Sequence, residues 1–138
     1  MSAEAFLDTN VLVYALDEDE PRKREVARTL LASAQPGSLM LSAQVLGELY
    51  VTVTRRLAKP LTPEQAAEVV EWLTLLPVVP IDAALVKRGA EISREAQISY
   101  WDGLVVAAAA HGGCERLLSE DLNDGQEIAS VRIEDPFK

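Results

Sequence analysis

Four acids stand where the local sequence does not obviously require a charge. Asp8 ends the apolar run Ala5-Phe6-Leu7, and Glu48 lies inside a helical apolar pattern. Asp102 precedes Leu104-Val105-Val106-Ala107-Ala108-Ala109-Ala110, and Asp121 comes just past Leu117-Leu118. Carboxylate oxygens are what hard divalent cations choose as ligands. Four of them brought together without a cation would repel one another and raise each other's pKa. A bound ion relieves that repulsion, and it can also lower the pKa of a water and orient it for attack on a phosphate. Each acid taken alone also has a local explanation. Asp8 could be an Asx turn or a helix cap, and Glu48 a solvated side chain on the face it shares with Thr52 and Arg55. Asp102 completes Ser99-x-x-Asp102, a capping-box pattern, and Asp121 lies in the turn-like Glu120-Asp121-Leu122-Asn123-Asp124-Gly125.

The elements that must position these acids alternate between strand and helix. Ala5-Phe6-Leu7 reads as a short buried strand, followed by a short helix over Val11–Leu16 and an acidic loop at Asp17-Glu18-Asp19-Glu20. Pro21 suits the first turn of a helix that carries Val26, Leu30 and Leu31 on one face and ends near Gln35-Pro36-Gly37. Leu39-Met40-Leu41 reads as a second strand, with Ser42 capping a helix whose core-facing set is Leu46, Leu49, Tyr50, Val53 and Leu57. Thr62-Pro63-Glu64-Gln65 opens the next helix, with Ala66, Val69, Val70, Leu73 and Leu76 as its apolar set. The prolines around Val78-Val79 predict a brief or edge strand. Asp82 caps the helix carrying Leu85, Val86, Ala90 and Ile92.

The stretch from Ser99 to His111 is apolar on every side of a helix and must be buried. Gly112-Gly113 ends it, Arg116–Ser119 is the next strand, and Val131-Arg132-Ile133 the last. Strands alternating with helices predict right-handed crossovers, an α/β fold with a mostly parallel central sheet between helical layers, and ligands beyond the carboxyl ends of the strands.

Bulk properties narrow the function classes. The 138 residues fit one domain, with no internal repeat or linker to divide it. Cys114 is the only thiol, so no internal disulfide can form, and it reads as a small hydrophobe in a reducing cytosol. The N-terminus has no basic stretch ahead of an apolar one, and no run reaches the about 18 to 20 apolar residues of a membrane span. The expectation is a cytoplasmic protein without a membrane. Thirteen Lys+Arg against 22 Asp+Glu give a net charge of −9, which argues against broad electrostatic attraction to nucleic acid or anionic lipid. A polyanionic substrate must be held locally, by a small basic patch, by a divalent metal, or by both.

Taken in order, the four acids resemble a family. A strand ending in Asp-Thr-Asn, a helical Glu, Trp-Asp-Gly opening an alanine-rich helix and Ser-x-Asp after a late strand look like the PIN domain. The spacings between the acids are 40, 54 and 19 residues. The stretches FLDTNVLVYALD, GELYVTVTRR, YWDGLVVAAAA, LLSEDLNDGQ and VRIEDPF are similar to the VapC-type toxins of prokaryotic toxin–antitoxin pairs. The resemblance covers nearly the whole chain. It implies a three-layer α/β/α domain and a Mg²⁺- or Mn²⁺-dependent endoribonuclease. Asp8 and Asp102 would be the principal metal ligands, with Glu48 and Asp121 completing the pocket and Glu48 helping to deprotonate the attacking water. Cleavage would leave a 5′-phosphate and a 3′-hydroxyl. Thr9, Asn10 and Ser119 would orient the carboxylates or touch a phosphate, and Asp124 is an auxiliary acid. The implied partners are RNA, a small antitoxin with a basic inhibitory segment, and a second copy in a homodimer.

Other residues receive plainer readings. Arg55, Arg56 and Lys59, two turns beyond Glu48, are the best RNA-backbone contacts. His111 is a helix-end residue without a catalytic role, and Tyr100 and Trp101 are read as core packing. Two alternatives share the fold: a non-toxin PIN nuclease of RNA processing or decay, and a catalytically silent PIN-like binding module. The second would be expected to lack one or more of the acids. A phosphotransferase of the haloacid-dehalogenase type would carry a second Asp where this chain has Asn10.

Overall fold

The structure is a computed structural model that describes residues 3–138. The first two positions of the N-terminal stretch expected to lack a leader lie outside the described residues. β1 (Ala5–Leu7) is buried on both faces and runs straight into α1 (Thr9–Tyr14). Next come α2 (Pro21–Ser33), β2 (Leu39–Ser42), α3 (Ala43–Arg55), α4 (Pro63–Leu73), β3 (Val78–Val79) and α5 (Ala83–Ala96). α6 (Tyr100–His111), β4 (Arg116–Leu118), β5 (Glu127–Ile128) and β6 (Val131–Glu134) complete the chain. One sheet of six strands, ordered β3-β2-β1-β4-β6-β5, lies between helical layers. Every pair is parallel except β5 with β6. Among the described residues no helix is long and apolar enough to cross a membrane.

This strand order explains where a site can form. From β1 the chain steps outward through β2 to β3, then crosses back so that β4 pairs with the other side of β1. The direction of winding therefore reverses at β1, and a crevice opens there beyond the carboxyl ends of β1 and β4. Asp8 follows the first of these strands, and Ser119 follows the second.

The caps fall where the sequence places them. Ser42 Oγ accepts from Val45 N, Asp82 from Leu85 N and Ser99 Oγ from Asp102 N. Thr62 and Gln65 form a reciprocal box at the start of α4. The two-residue β3 is an edge strand, as its flanking prolines predict. Three expectations are corrected. α3 buries Val45, Leu49 and Val53, whereas Leu46 is half-buried and Tyr50 exposed. Two apolar stripes run along α3, and its seat against β2 and α1 selects the 45/49/53 line. The short β5 was not expected; its hairpin turns through Ala129 and Ser130, both at positive φ, without the Asn-Gly or Asp-Gly that signals such turns. Trp101 is 62% exposed and not core.

α5 and α6 make the tightest helix pair, meeting at glycines. A Cβ on Gly103 would stand 2.5 Å from the carbonyl oxygen of Gly89 and 3.0 Å from Ser93 Cβ. Backbone cannot yield as a side-chain tip can. Gly103→Ala should therefore cost about 1–3 kcal/mol, the range for overpacked cores, read as a lower midpoint in urea unfolding. An unchanged midpoint would show that the helices part freely here.

Candidate active site

Asp8 is the best-defined of the four acids. It caps α1, with Oδ1 accepting from Thr9 N at 2.7 Å, and its Oδ2 accepts from Ser119 Oγ at 2.8 Å. The cap explanation and the site explanation thus hold together. Only 6% of Asp8 is exposed, and burial raises its carboxyl from 3.8 to about 6 against the lowering effect of these two hydrogen bonds. Asp121 and Asp102 push it further in the same direction by repulsion.

Ser119 ties the β4 end to β1. Fully buried, it donates to Asp8 and accepts from Asp121 N at 3.1 Å and Asn10 Nδ2 at 3.3 Å. Asn10 reaches the same loop with both ends of its amide: Nδ2 donates to Asp121 Oδ2 at 3.1 Å, and Oδ1 accepts from Glu120 N at 3.1 Å. Glu120, which the sequence offered only as part of a turn, anchors the loop from the other side. It accepts from Tyr14 Oη at 2.6 Å and pairs with Lys23 at 2.5 Å, and the Lys23 ammonium lies 4.7 Å from the Tyr14 ring centroid. Only the family resemblance had pointed to Ser119 and Asn10 of the first network. Nothing in the local sequence signalled the second.

Glu48 and Asp102 approach from the helices that follow β2 and precede β4. Burial raises both carboxyls, with Asp102 and Asp121 adding to the rise of Glu48 and Asp121 adding to that of Asp102. Ser99 caps α6, but the reciprocal bond seen in α4 is not present there, so Asp102 is free of the box that its spacing suggested. Gln44 Nε2 joins the two helix starts through the carbonyl of Trp101 at 3.2 Å. Repulsion from Asp102 and Asp121 thus reaches both Asp8 and Glu48 at one edge of the sheet. Among the described residues none of the four has a salt bridge.

The remaining expected residues lie as follows. Arg56 lines a shallow groove with Gly47, Glu48, Val51 and Thr52, and Arg55 is exposed in the last turn of α3. Lys59 instead pairs with Glu18 at 3.3 Å and faces a separate apolar cleft of about 680 Å³ that also includes Arg24, Leu61 and Trp72 and none of the four acids. Asp124 is committed to the C-terminal segment, accepting from Asp135 N at 2.9 Å and pairing with Lys138 at 3.5 Å. Cys114 is buried with its thiol pushed up to about 11 by that burial.

Ser119 makes a testable hinge in this account. Ser119→Ala removes one donor to a buried carboxylate and leaves two N–H groups without their acceptor, which should cost about 1–3 kcal/mol. The loss should be larger at pH 7.5 than at pH 4.5, because the bond to Asp8 is charge-assisted only when Asp8 is ionised. Urea unfolding at the two pH values measures this; equal losses would remove Ser119 from the support of Asp8.

As placed, no three ligating side chains among the described residues stand close enough to form a metal-binding group. The donor chemistry nevertheless fits a hard cation: Asp8, Glu48 and Asp102 are raised by burial and by repulsion from neighbouring carboxylates, with no cationic partner among the described residues. Beside Asp8, Thr9 Oγ1 is buried without a hydrogen-bond partner, an oxygen left for something the chain does not itself supply.

Comparisons with known proteins bear on the family and the fold. The family model described as PIN domain matches residues 5–127. No curated protein matches the chain. Among solved structures, the chain is similar to VapC20 of Mycobacterium tuberculosis, described as a toxin that cleaves the sarcin-ricin loop. The TM-score is 0.68 at 24% identity, covering 94% of this chain and 99% of that one. A toxin–antitoxin complex from Klebsiella pneumoniae has a TM-score of 0.70 at 20% identity, over 96% and 98% of the two chains. VapBC2 of Rickettsia felis, bound to a fragment of promoter DNA, has a TM-score of 0.63 at 20% identity, over 94% and 96%.

Proposed function

The chain belongs to the PIN domain family, and from that premise we propose that it is a Mg²⁺- or Mn²⁺-dependent endoribonuclease, the toxin of a toxin–antitoxin pair. The observation that supports this reading is the mutual repulsion linking Asp8, Glu48, Asp102 and Asp121 at the edge where the sheet reverses its winding, with none of the four in a salt bridge among the described residues. The fold neighbours described as toxins or toxin–antitoxin complexes support the biological role.

Asp8 and Asp102 would hold the ion, with Glu48 and Asp121 completing its surroundings. When bound, the cation would supply a Lewis acid for a phosphate oxygen and a lowered pKa for the attacking water. The chain's residues do the rest. Thr9 N–H and Ser119 Oγ fix the two oxygens of Asp8, and Asn10 holds Asp121 to the same strand end. Glu48, its carboxyl raised by burial and by Asp102, is suited to accept the proton from water. With water as nucleophile the products carry a 5′-phosphate and a 3′-hydroxyl. Arg55 and Arg56 extend the site along α3 toward the RNA backbone. Lys59, held by Glu18, would contribute only after that exposed pair opens.

The partner expected for such a site is a small antitoxin that brings a basic group to the acidic edge, and the expected assembly is a homodimer in the cytoplasm. Induced expression tests the role: the wild-type chain should arrest growth, and co-expression of the protein encoded next to it should restore growth. Unimpaired growth during strong expression, together with cleavage by the pure protein, would favour a nuclease of RNA processing over a toxin.

A further inference from the structure

Resting on the reading that this edge cuts RNA, we infer that Trp101 is the platform on which a nucleobase next to the scissile phosphate stacks. An indole that is 62% exposed loses apolar burial that a helix adjoining the core could have offered. Its neighbour Tyr100 is half-buried and meets it edge-on, with ring centroids 4.9 Å apart and an interplanar angle of 70°, which limits how the indole can turn. Gln44 Nε2 holds the carbonyl of Trp101. The exposed ring therefore stands where α3 and α6 begin, one residue from Asp102, with its backbone tied to Gln44, which lies one helical turn before Glu48 on α3.

The surface continues from there along a single stripe of α3: Gln44, Gly47, Glu48, Val51 and Arg55, spaced at threes and fours. No atom lies within 4 Å of where a Gly47 Cβ would stand, so packing within the chain does not call for glycine. Glycine inside a helix costs about 1 kcal/mol relative to alanine. A bare stretch of helix between the indole and Arg56 leaves room for a ribose-phosphate chain to lie close.

A nucleobase suits this ring better than a second copy of the chain does. In a two-fold pairing through Trp101, Asp102 would face Asp102 and Glu48 would approach Glu48, bringing like charges together. A base is uncharged and offers a π-face whatever its identity. Stacking thus grips RNA without adding charge beside carboxylates that already repel.

The test uses the two tryptophans of the chain. In Trp72→Phe, Trp101 is the sole indole. Its emission is followed while single-stranded RNA is added in Ca²⁺, with a gel to verify that the RNA stays intact, and again with an oligonucleotide of the same length made of abasic ribose-phosphate. The expected result is quenching by the base-containing strand and little by the abasic one. In the otherwise wild-type protein, Trp101→Ala should raise the dissociation constant about tenfold, within the range for losing one base stack, and Trp101→Phe should recover most of it. Absence of quenching, equal quenching by both strands, or an unchanged dissociation constant in Trp101→Ala overturns the proposal. So does a loss of dimer on sedimentation of Trp101→Ala, which would make the indole an interface between copies. Binding is read without turnover, so the two readings fail separately. RNA bound with quenching but never cut would end the nuclease reading and leave the stack standing.

Discussion

Asp8→Asn should abolish RNA cleavage in Mg²⁺ or Mn²⁺ while leaving the fold intact. A metal-bound transition state draws several kcal/mol from its cation, and at about 1.4 kcal/mol per decade its loss lowers kcat/KM by on the order of a thousandfold. The substitution is nearly isosteric, and an Asn oxygen can still accept from Thr9 N, so α1 keeps its cap. The drop should thus lie in catalysis, with the circular dichroism spectrum unchanged. A comparable drop in Asn10→Ala would be a different effect, since Asn10 acts by holding Asp121 and Glu120. Cleavage within tenfold of wild type in Asp8→Asn would remove Asp8 from the reaction.

The same carboxylate should make the metal-free protein less stable as pH rises, against the usual behaviour of acids. Burial raises the carboxyl of Asp8 from 3.8 to about 6, so the folded state binds its proton more tightly than the unfolded chain does. Stability from this group is complete below about pH 4 and is lost as pH rises through 6, a difference of roughly 3 kcal/mol. Glu48 and Asp102, also raised, act in the same sense. Glu120, Asp124 and Glu134 are lowered by their partners and act oppositely. Their contribution is lost as pH falls below the ordinary carboxylate range, and as surface pairs they count for less. Urea unfolding in EDTA between pH 4.5 and 7.5 therefore isolates the raised group. Wild type should weaken across that window, Asp8→Asn should weaken much less, and Mn²⁺ should restore wild type at the upper end by binding the folded form. A stability that rises from pH 4.5 to 7.5 in EDTA would contradict the burial of an unpaired carboxylate.

The sequence shows most of the fold because its signals are local. Ser42, Thr62, Asp82 and Ser99 cap the helices they precede, and two prolines confine β3 to an edge. Asp8 could be singled out only as one of four acids in order, because alone its place before α1 is explained equally well by the cap that it makes. Other features depend on choices that only packing makes. Val45-Leu49-Val53 and Leu46-Tyr50 are both plausible stripes of α3, and packing settles which is buried. Trp101 stands in the first turn of α6, ahead of the stretch Gly103–Ala109 that is buried on every side, so the burial signalled by the apolar run does not reach it. The tie from Tyr14 and Lys23 to Glu120 joins residues 97 and 106 positions apart, and no local pattern encodes it. Lys59 looked contiguous with Arg55 and Arg56 by spacing, but it lies beyond the end of α3, where the chain has already turned toward Glu18.

The central claim is that Asp8, Glu48, Asp102 and Asp121 act together through a divalent cation. Asp102 tests it most directly, because its capping-box pattern gave it the most complete structural explanation and because it stands on a helix remote in sequence from Asp8. The measurement is the cleavage rate of an end-labelled single-stranded RNA by wild type and Asp102→Asn, each in Mn²⁺ and in EDTA. Wild type should cleave in Mn²⁺ alone, with Asp102→Asn slower by on the order of a hundredfold or more at an unchanged melting temperature. Wild-type rates in Asp102→Asn, or cleavage that persists in EDTA, would contradict it.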